Sequence, residues 1–334
     1  MLRLGIPSDG ALHEPSMRFM ASCGLAVARP NPRSYTGQIR ALADAVVHFQ
    51  RASDITGKVE EGSIDAGIVG FDRYSESQRG GDEAVLIFDE LGFGGCSLVL
   101  AVPEAWVDVS SVADLAEVSA DFRTAGKDLR VATKFPRLVE QFLLNMGVNY
   151  FSLVSTSGAL EAAPVMGYAD MIADITSSGT TLKENRLKTV QGGTILKSQA
   201  CLIVNPTSVA GDPDRLSAVR SMIDMIEGHI QAQGLYTVTA DVLGESEEKV
   251  ARRLLDSQYL AGLRGPTISR VYTDDGDRLF TVTVVVGREK LLEAVAYLRG
   301  LGGGSVSVLG TDYVFHGESE ARRRLEASTT KGRQ

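Results

Sequence analysis

A chain of 334 residues that is 44% hydrophobic and 23% charged is long enough for two or three domains with ample cores. Its net charge of -8, with no long basic run, argues against a nucleic-acid partner and allows only a local basic pocket. Cys23, Cys96 and Cys201 are too scattered for a disulfide framework, His13, His48, His229 and His316 lack ligand spacing, and no apolar run reaches membrane-spanning length. Residues 1–8 enter a strand directly, without a signal-type apolar core, so a soluble cytoplasmic protein with no membrane partner is expected.

In chain order, residues 2–6 read as a strand, 15–23 as a helix ended by Gly24, and 45–49 as a strand. Residues 52–61 read as a helix capped by Gly62, and 66–70 as a strand. This alternation predicts an α/β unit with a mainly parallel sheet. The apolar run 97–102, ending at Pro103, crosses into a second such unit. There 129–132 is a strand, 135–145 a helix and 150–155 a strand, followed by 159–167 and the stretch from Asp170. Residues 200–205 return as a strand to the first unit and 215–233 form a long helix. Two lobes joined by crossovers leave a cleft for a small ligand.

The last hundred residues change character: strand 236–242, a helix capped by Ser246 with Glu247 and Glu248 in its first turn, strands 267–272 and 279–286, helix 289–299 stopped by Gly300, and strand 306–309. The order β-α-β-β-α-β is the ferredoxin-like split unit, plainly read as an oligomerisation or regulatory module. The expected boundaries are 1–96 with 197–233 for lobe I, 97–196 for lobe II, 234–316 for the ferredoxin-like unit, and 317–334 for a polar tail that frays.

The most informative stretch is 170–182. Asp170 and Asp174 flank an apolar run, after which come Thr176, Ser177, Ser178, Gly179, Thr180 and Thr181 and a helix-compatible Leu182-Lys183-Glu184-Asn185. Strand, small polar loop and helix start together present backbone N–H groups and hydroxyls to a phosphate. The two aspartates stand where they can hold sugar hydroxyls or a metal beside it. No Gly-Lys-Ser/Thr follows, so this is not a Walker loop. A plain strand-to-helix turn with a Ser or Thr N-cap accounts for the same residues.

Further segments carry a resemblance: Ile6-Pro7-Ser8-Asp9-Gly10, Phe49-Gln50-Arg51-Ala52-Ser53-Asp54-Ile55, Asp65-Ala66-Gly67-Ile68-Val69-Gly70-Phe71-Asp72, Leu91-Gly92-Phe93-Gly94-Gly95-Cys96, Val131-Ala132-Thr133-Lys134-Phe135-Pro136 and Gly158-Ala159-Leu160-Glu161-Ala162-Ala163-Pro164. With the 170–182 loop, their order and spacing resemble ATP phosphoribosyltransferase, the first enzyme of histidine biosynthesis, over about the first 210 residues. Gly262-Leu263-Arg264-Gly265-Pro266-Thr267-Ile268-Ser269 resembles the C-terminal domain of the long form of that family. The resemblance implies an α/β fold with a two-lobed periplasmic-binding-protein-like catalytic core plus a C-terminal ferredoxin-like (ACT-like) α+β domain. It implies a homo-oligomer, hexameric when assembled, with histidine as feedback inhibitor. In the implied reaction N1 of ATP attacks the ribose C1 of phosphoribosyl pyrophosphate, and pyrophosphate leaves, with Mg2+ bound.

Such a transfer needs little acid–base help, because adenine N1 already offers a lone pair and the leaving group is a stable anion. The enzyme's work is positioning and charge placement. The resemblance assigns Thr176, Ser177, Ser178, Gly179, Thr180 and Thr181 to the 5-phosphate, and Asp174, Asp170 and Glu161 to the catalytic ribose region. Arg51 and Lys134 follow apolar strands, where a cation meets pyrophosphate or triphosphate. Gly70, Asp72 and Asp9 complete the expected nucleotide side, and Thr267, Ser269 and Gly303 the expected histidine site. The metal ligands are left open. Two departures stand out: Asp9 occupies a loop where the family usually has Lys or Ser, and Ser97 stands where an Arg is frequent. They keep a second reading in view, a non-catalytic ligand-binding or regulatory paralogue on the same scaffold.

Overall fold

The computed structural model describes residues 1–331 except 32, 43, 79–80, 82, 156–158, 256–264, 273–277 and 303. It divides into two compact units, residues 1–223 with 320–334, and residues 224–319.

The first unit opens with β1 (Leu2–Pro7), α1 (His13–Ser22), β2 (Val27–Ala28), β3 (Thr36–Ile39), β4 (Ala45–Gln50), α2 (Ala52–Glu60), β5 (Ala66–Gly70), α3 (Phe71–Ser77) and β6 (Val85–Phe88). Every residue of β5 is buried, as befits a strand covered on both faces. The chain then crosses into β7 (Cys96–Pro103), α4 (Val112–Thr124), β8 (Leu129–Thr133), α5 (Pro136–Asn145), β9 (Phe151–Ser155), a 3-10 turn (Leu160–Ala162), β10 (Met171–Thr176), α6 (Thr180–Glu184) and β11 (Leu187–Ser198). It returns through β12 (Ala200–Val204), α7 (Pro206–Ala210) and α8 (Pro213–Ala232).

Two sheets result. Lobe I holds seven strands in the order β2-β3-β4-β1-β5-β12-β6, and lobe II five in the order β11-β7-β10-β8-β9. In lobe I, β1 runs parallel to β4 and β5; in lobe II, β8 runs parallel to β9 and β10. One core of lobe II packs Leu98, Leu100, Val131, Met171 and Ala173 under α4 and α5. On the opposite face Val99, Ala101, Ala132 and Ile172 pack with Leu160 and Leu182. The two crossovers are tied together: Ala200 N donates to Phe93 O at 2.9 Å and Leu91 N to Ala200 O at 3.0 Å.

The second unit contains β13 (Leu235–Leu243), α9 (Glu247–Leu255), β14 (Thr267–Val271), β15 (Leu279–Gly287), α10 (Leu291–Gly300) and β16 (Val306–Gly310). Its antiparallel sheet has the order β14-β15-β13-β16, the ferredoxin-like order expected from the sequence. Val238, Val242, Phe280, Val282 and Val284 pack with Val250 and Leu254 of α9 and with Ala294 and Leu298 of α10.

The end of the chain departs from expectation. In place of a fraying tail, Glu320–Lys331 forms α11, which rejoins the first unit against β6 and α7. Ala321 and Leu325 are buried, Arg324 donates to Ile87 O at 3.3 Å, and Arg220 pairs with Glu326 at 2.9 Å. The segment is polar overall, but two apolar residues four apart suffice to seat one helical face.

Candidate functional site

Ligands of parallel α/β sheets gather at the carboxyl ends of the strands. In lobe II those ends are Thr133, Ser155 and Thr176. Asp174, two residues before the end of β10, is half-buried, and its Oδ1 accepts from Ile175 N at 2.8 Å. Burial holds its carboxyl above the usual range; the Ile175 N–H opposes this, the carboxylate of Glu161 adds to it, and the cations Lys134 and Arg73 offset part. Glu161, Lys134 and Arg73, from three separate segments, thus all act electrostatically on Asp174.

The loop that follows is built from its own hydroxyls. Gly179 N donates to Thr176 Oγ1 at 2.8 Å, Ser178 Oγ and Thr180 Oγ1 lie 2.9 Å apart, and Ser177, Ser178, Thr180 and Thr181 are exposed. Gly179 takes φ +75°, the left-handed region that favours glycine. Cross-strand partners share a face. Thr176 faces Ser97 on β7 and Ser97 faces Lys197 on β11, so one row beside the loop carries two hydroxyls and an exposed ammonium. Lys197, which the sequence reading passed over, thus places a cation beside Ser97.

In lobe I, Arg51 is exposed at the N-cap of α2 and Asp9 is exposed in the turn after β1. Gly70 and Asp72 are buried, and the Asp72 carboxylate is already engaged: Ser198 Oγ donates to Oδ1 at 2.7 Å and accepts from Asp72 N at 2.9 Å. Ser198 is the last residue of β11, so the Asp72 carboxylate is engaged by the strand that leads back to lobe I. Asp170 is likewise engaged. It precedes β10 at the end opposite the loop, and Arg130 grips it through Nε to Oδ2 at 3.1 Å and Nη2 to Oδ1 at 2.8 Å. A six-residue strand separates it from the loop by roughly 20 Å, beyond one ribose.

Other chemistry is excluded by burial. The Cys23 thiol is pushed up to about 12 and that of Cys201 is raised further, so neither is a ready nucleophile. His13 lies against Pro7 O at 2.6 Å and edge-on to Phe49, a packing role. Among the described residues no three acidic, histidine or cysteine side chains converge on one point. In the second unit, Thr267 and Ser269 of β14 share the sheet face that bears no helix, beside Thr283 and Thr281, and Thr281 Oγ1 donates to Asp241 at 2.5 Å. Gly303 and Gly158 lie outside the described residues.

Sequence reasoning also missed Arg73, Glu76 and Arg137. Arg73 lies over the Phe135 ring at 4.4 Å, and Glu76 and Arg137 join lobe I to lobe II. A polar run after β5 carries no local mark distinguishing it from a solvated helix face.

Comparison with known proteins adds to this geometry. The family profile described as ATP phosphoribosyltransferase matches residues 51–228. ATP phosphoribosyltransferase 2, chloroplastic, of Arabidopsis thaliana is 38% identical over 324 residues, covering 95% of this chain and 78% of that protein. The ATP phosphoribosyltransferase of Bradyrhizobium sp. (strain ORS 278) is 34% identical, with 98% of both chains covered. Among solved structures, the ATP phosphoribosyl transferase complex from Thermotoga maritima matches with a TM-score of 0.52 and 26% identity, over 68% of this chain and 96% of that one.

Proposed function

The chain belongs to the ATP phosphoribosyltransferase family, and from that premise we propose that it joins N1 of ATP to the ribose C1 of phosphoribosyl pyrophosphate, releasing pyrophosphate, as the first step of histidine biosynthesis. It is a phosphoribosyltransferase by membership; the reacting atoms and the residue roles are our reading. The observation that carries the reading is the half-buried Asp174 immediately before an exposed hydroxyl loop.

In this reading Thr176, Ser177, Ser178, Gly179, Thr180 and Thr181 hold the 5-phosphate through N–H and O–H donors. The ionised Asp174 holds the ribose hydroxyls and faces the positive charge that develops at C1 as the bond to pyrophosphate breaks. Lys134, Arg73 and Lys197 meet the pyrophosphate, and Arg51 and Asp9 border the ATP on lobe I. Gly70 keeps the end of β5 free of a side chain beside them.

Magnesium uses one or two carboxylates and takes its other ligands from substrate phosphates and water; in this reading Asp174 supplies one, with Glu161, whose charge acts on it, as the second. Bound there, it would neutralise the charge of the departing pyrophosphate. We extend the proposal to the second unit as a regulatory module in a homo-oligomer, hexameric when assembled and inhibited by histidine. The hydroxyls of Thr267 and Ser269, with Asp241 one strand beyond Thr281, suit an amino acid's ammonium and carboxylate. No described helix is long and apolar enough to cross a membrane, and the buried free thiols suit a reducing compartment, the cytoplasm in our reading.

The test is to supply ATP, phosphoribosyl pyrophosphate, magnesium and pyrophosphatase and follow phosphoribosyl-ATP by absorbance, with and without histidine. Turnover suppressed by histidine supports both parts. A folded protein without turnover refutes the catalytic part and favours the non-catalytic paralogue.

A further inference from the structure

Helix α3 of lobe I and helix α5 of lobe II meet end to end, and the contact is reciprocal. Glu76, near the end of α3, accepts from Arg137 N at 2.9 Å through Oε1 and from Leu138 N at 3.0 Å through Oε2. These amides belong to the first turn of α5, where N–H groups have no carbonyl partner within their own helix. The N-cap residue of α5, Phe135, supplies no side-chain cap, so lobe II takes its helix cap from lobe I. Arg137 returns the contact, donating from Nε to Glu76 O at 3.0 Å and from Nη2 to Ser75 O. Those carbonyls lie at the end of α3, where acceptors are likewise left over.

The same pair of helices brackets the site. Arg73, three residues before Glu76, lies over Phe135 and has Nη1 3.5 Å from Lys134 O. Lys134 links the end of β8 to α5, and Thr133 of β8 pairs with Ala173, the neighbour of Asp174. The clasp therefore sets Lys134 and Asp174 of lobe II in register with the strand ends of lobe I.

We propose that Glu76 and Arg137 are positioning residues for transfer between substrates held by different lobes, acting by fixing the lobes in register. This rests on the phosphoribosyl transfer proposed above. Neither side chain touches a reacting atom. Each lobe keeps its own binding groups when the clasp is broken, but the attacking nitrogen and C1 lose their alignment.

The test uses the full chain and the variants Glu76→Ala, Glu76→Gln and Arg137→Lys. The readouts are kcat, both KM values, ribose 5-phosphate affinity by calorimetry, and the distance between spin labels at Glu61→Cys and Gln141→Cys on exposed sites of the two lobes. Glu76→Ala should lower kcat about ten- to a hundred-fold, leave KM for phosphoribosyl pyrophosphate within about threefold, and broaden the label distance distribution. Glu76→Gln, which keeps one acceptor oxygen but turns an NH2 donor toward the second amide, should fall between wild type and Glu76→Ala, as should Arg137→Lys, which loses the forked donor. Unchanged kcat in folded Glu76→Ala would overturn the proposal, as would lost activity that tracks stability while the label distance stays fixed. If the wild type shows no turnover, the functional reading fails instead. The label distance then decides the clasp alone, an unchanged distribution overturning it.

Discussion

Asp170 and Asp65 occupy equivalent positions in the two lobes: each immediately precedes a parallel strand and grips an arginine at the second position of its neighbour. Arg3 N and Nε reach Asp65 Oδ2 at 2.8 and 3.1 Å, and Arg130 N and Nε reach Asp170 Oδ2 at the same distances. Each arginine also donates at 2.8 Å to a glycine carbonyl three residues before its aspartate, Gly62 or Gly167. The pair staples the foot of each sheet, far from the strand ends that carry the chemistry.

The staples differ in depth. Asp65 is fully buried and also accepts from Ser208 and Arg215, whereas the Asp170 side chain is 16% exposed. Asp65→Ala should therefore cost about 3–5 kcal/mol, because it removes the buried anion that holds Arg3 and half of the pairing of Arg215. Asp170→Ala should cost about 1.5–3 kcal/mol and leave the turnover of the folded protein near wild type. Urea denaturation and specific activity check both. A turnover collapse in folded Asp170→Ala would return that residue to the site.

Asp174 reverses this pattern. Its carboxyl is held above the ordinary range, chiefly by burial, so ionisation at neutral pH opposes folding and stability declines as pH rises through the folded-state value. Asp174→Asn should leave the melting temperature unchanged or higher while abolishing turnover. A variant that unfolds, or that remains fully active, contradicts this.

If turnover needs ionised Asp174, its acid limb lies above the usual aspartate range, and Glu161 contributes to that position. Glu161→Gln removes the neighbouring negative charge and should move the acid limb to lower pH. For Asp170, burial pushes the carboxyl up, but the Arg130 hydrogen bonds outweigh it and hold it low. Its stabilisation is present above the ordinary aspartate range and is lost as pH falls through the lowered value. Thermal melts of wild type and Asp170→Asn should therefore converge in acid.

Gly179 separates conformation from contact. Its φ of +75° makes Ala unfavourable by about 1–2 kcal/mol, while no atom within 4 Å would meet an added Cβ. Gly179→Ala should raise KM for phosphoribosyl pyrophosphate, and Gly179→Asn, which tolerates the left-handed region, should raise it less. Equal losses in both would mean that the phosphate itself needs the space.

Elements whose signal is local were legible in the sequence. Short, mainly apolar runs located β1, β4, β5, β8 and β12, and β-branched alternation located β13 and β15. Helix α4 escaped notice although Ser111 and Asp114 form a capping box. Strand β11 also went unassigned: Gly192 and Gly193 interrupt its pattern, and they sit in a bulged stretch of a twelve-residue edge strand. The two aspartates on either side of residues 171–173 carry the same local mark. Only Arg130, forty residues away, tells them apart, and pairing at that distance leaves no trace in a local pattern. Arg73 and Glu76 were hidden for the same reason: their partners stand in the other lobe.

Because α11 rejoins the first unit, residues 224–319 are an insertion with both ends anchored, not an appendage. Arg220 on the outgoing helix and Glu326 on the returning one are 2.9 Å apart, so the exit and re-entry points of the insertion are neighbours. A stop codon after the long helix would strip α11 and bare the seat of Ala321 and Leu325, confounding lost regulation with lost stability. The clean experiment is excision: a short flexible linker replacing residues 234–319, with α11 kept. That protein should fold and turn over without responding to histidine.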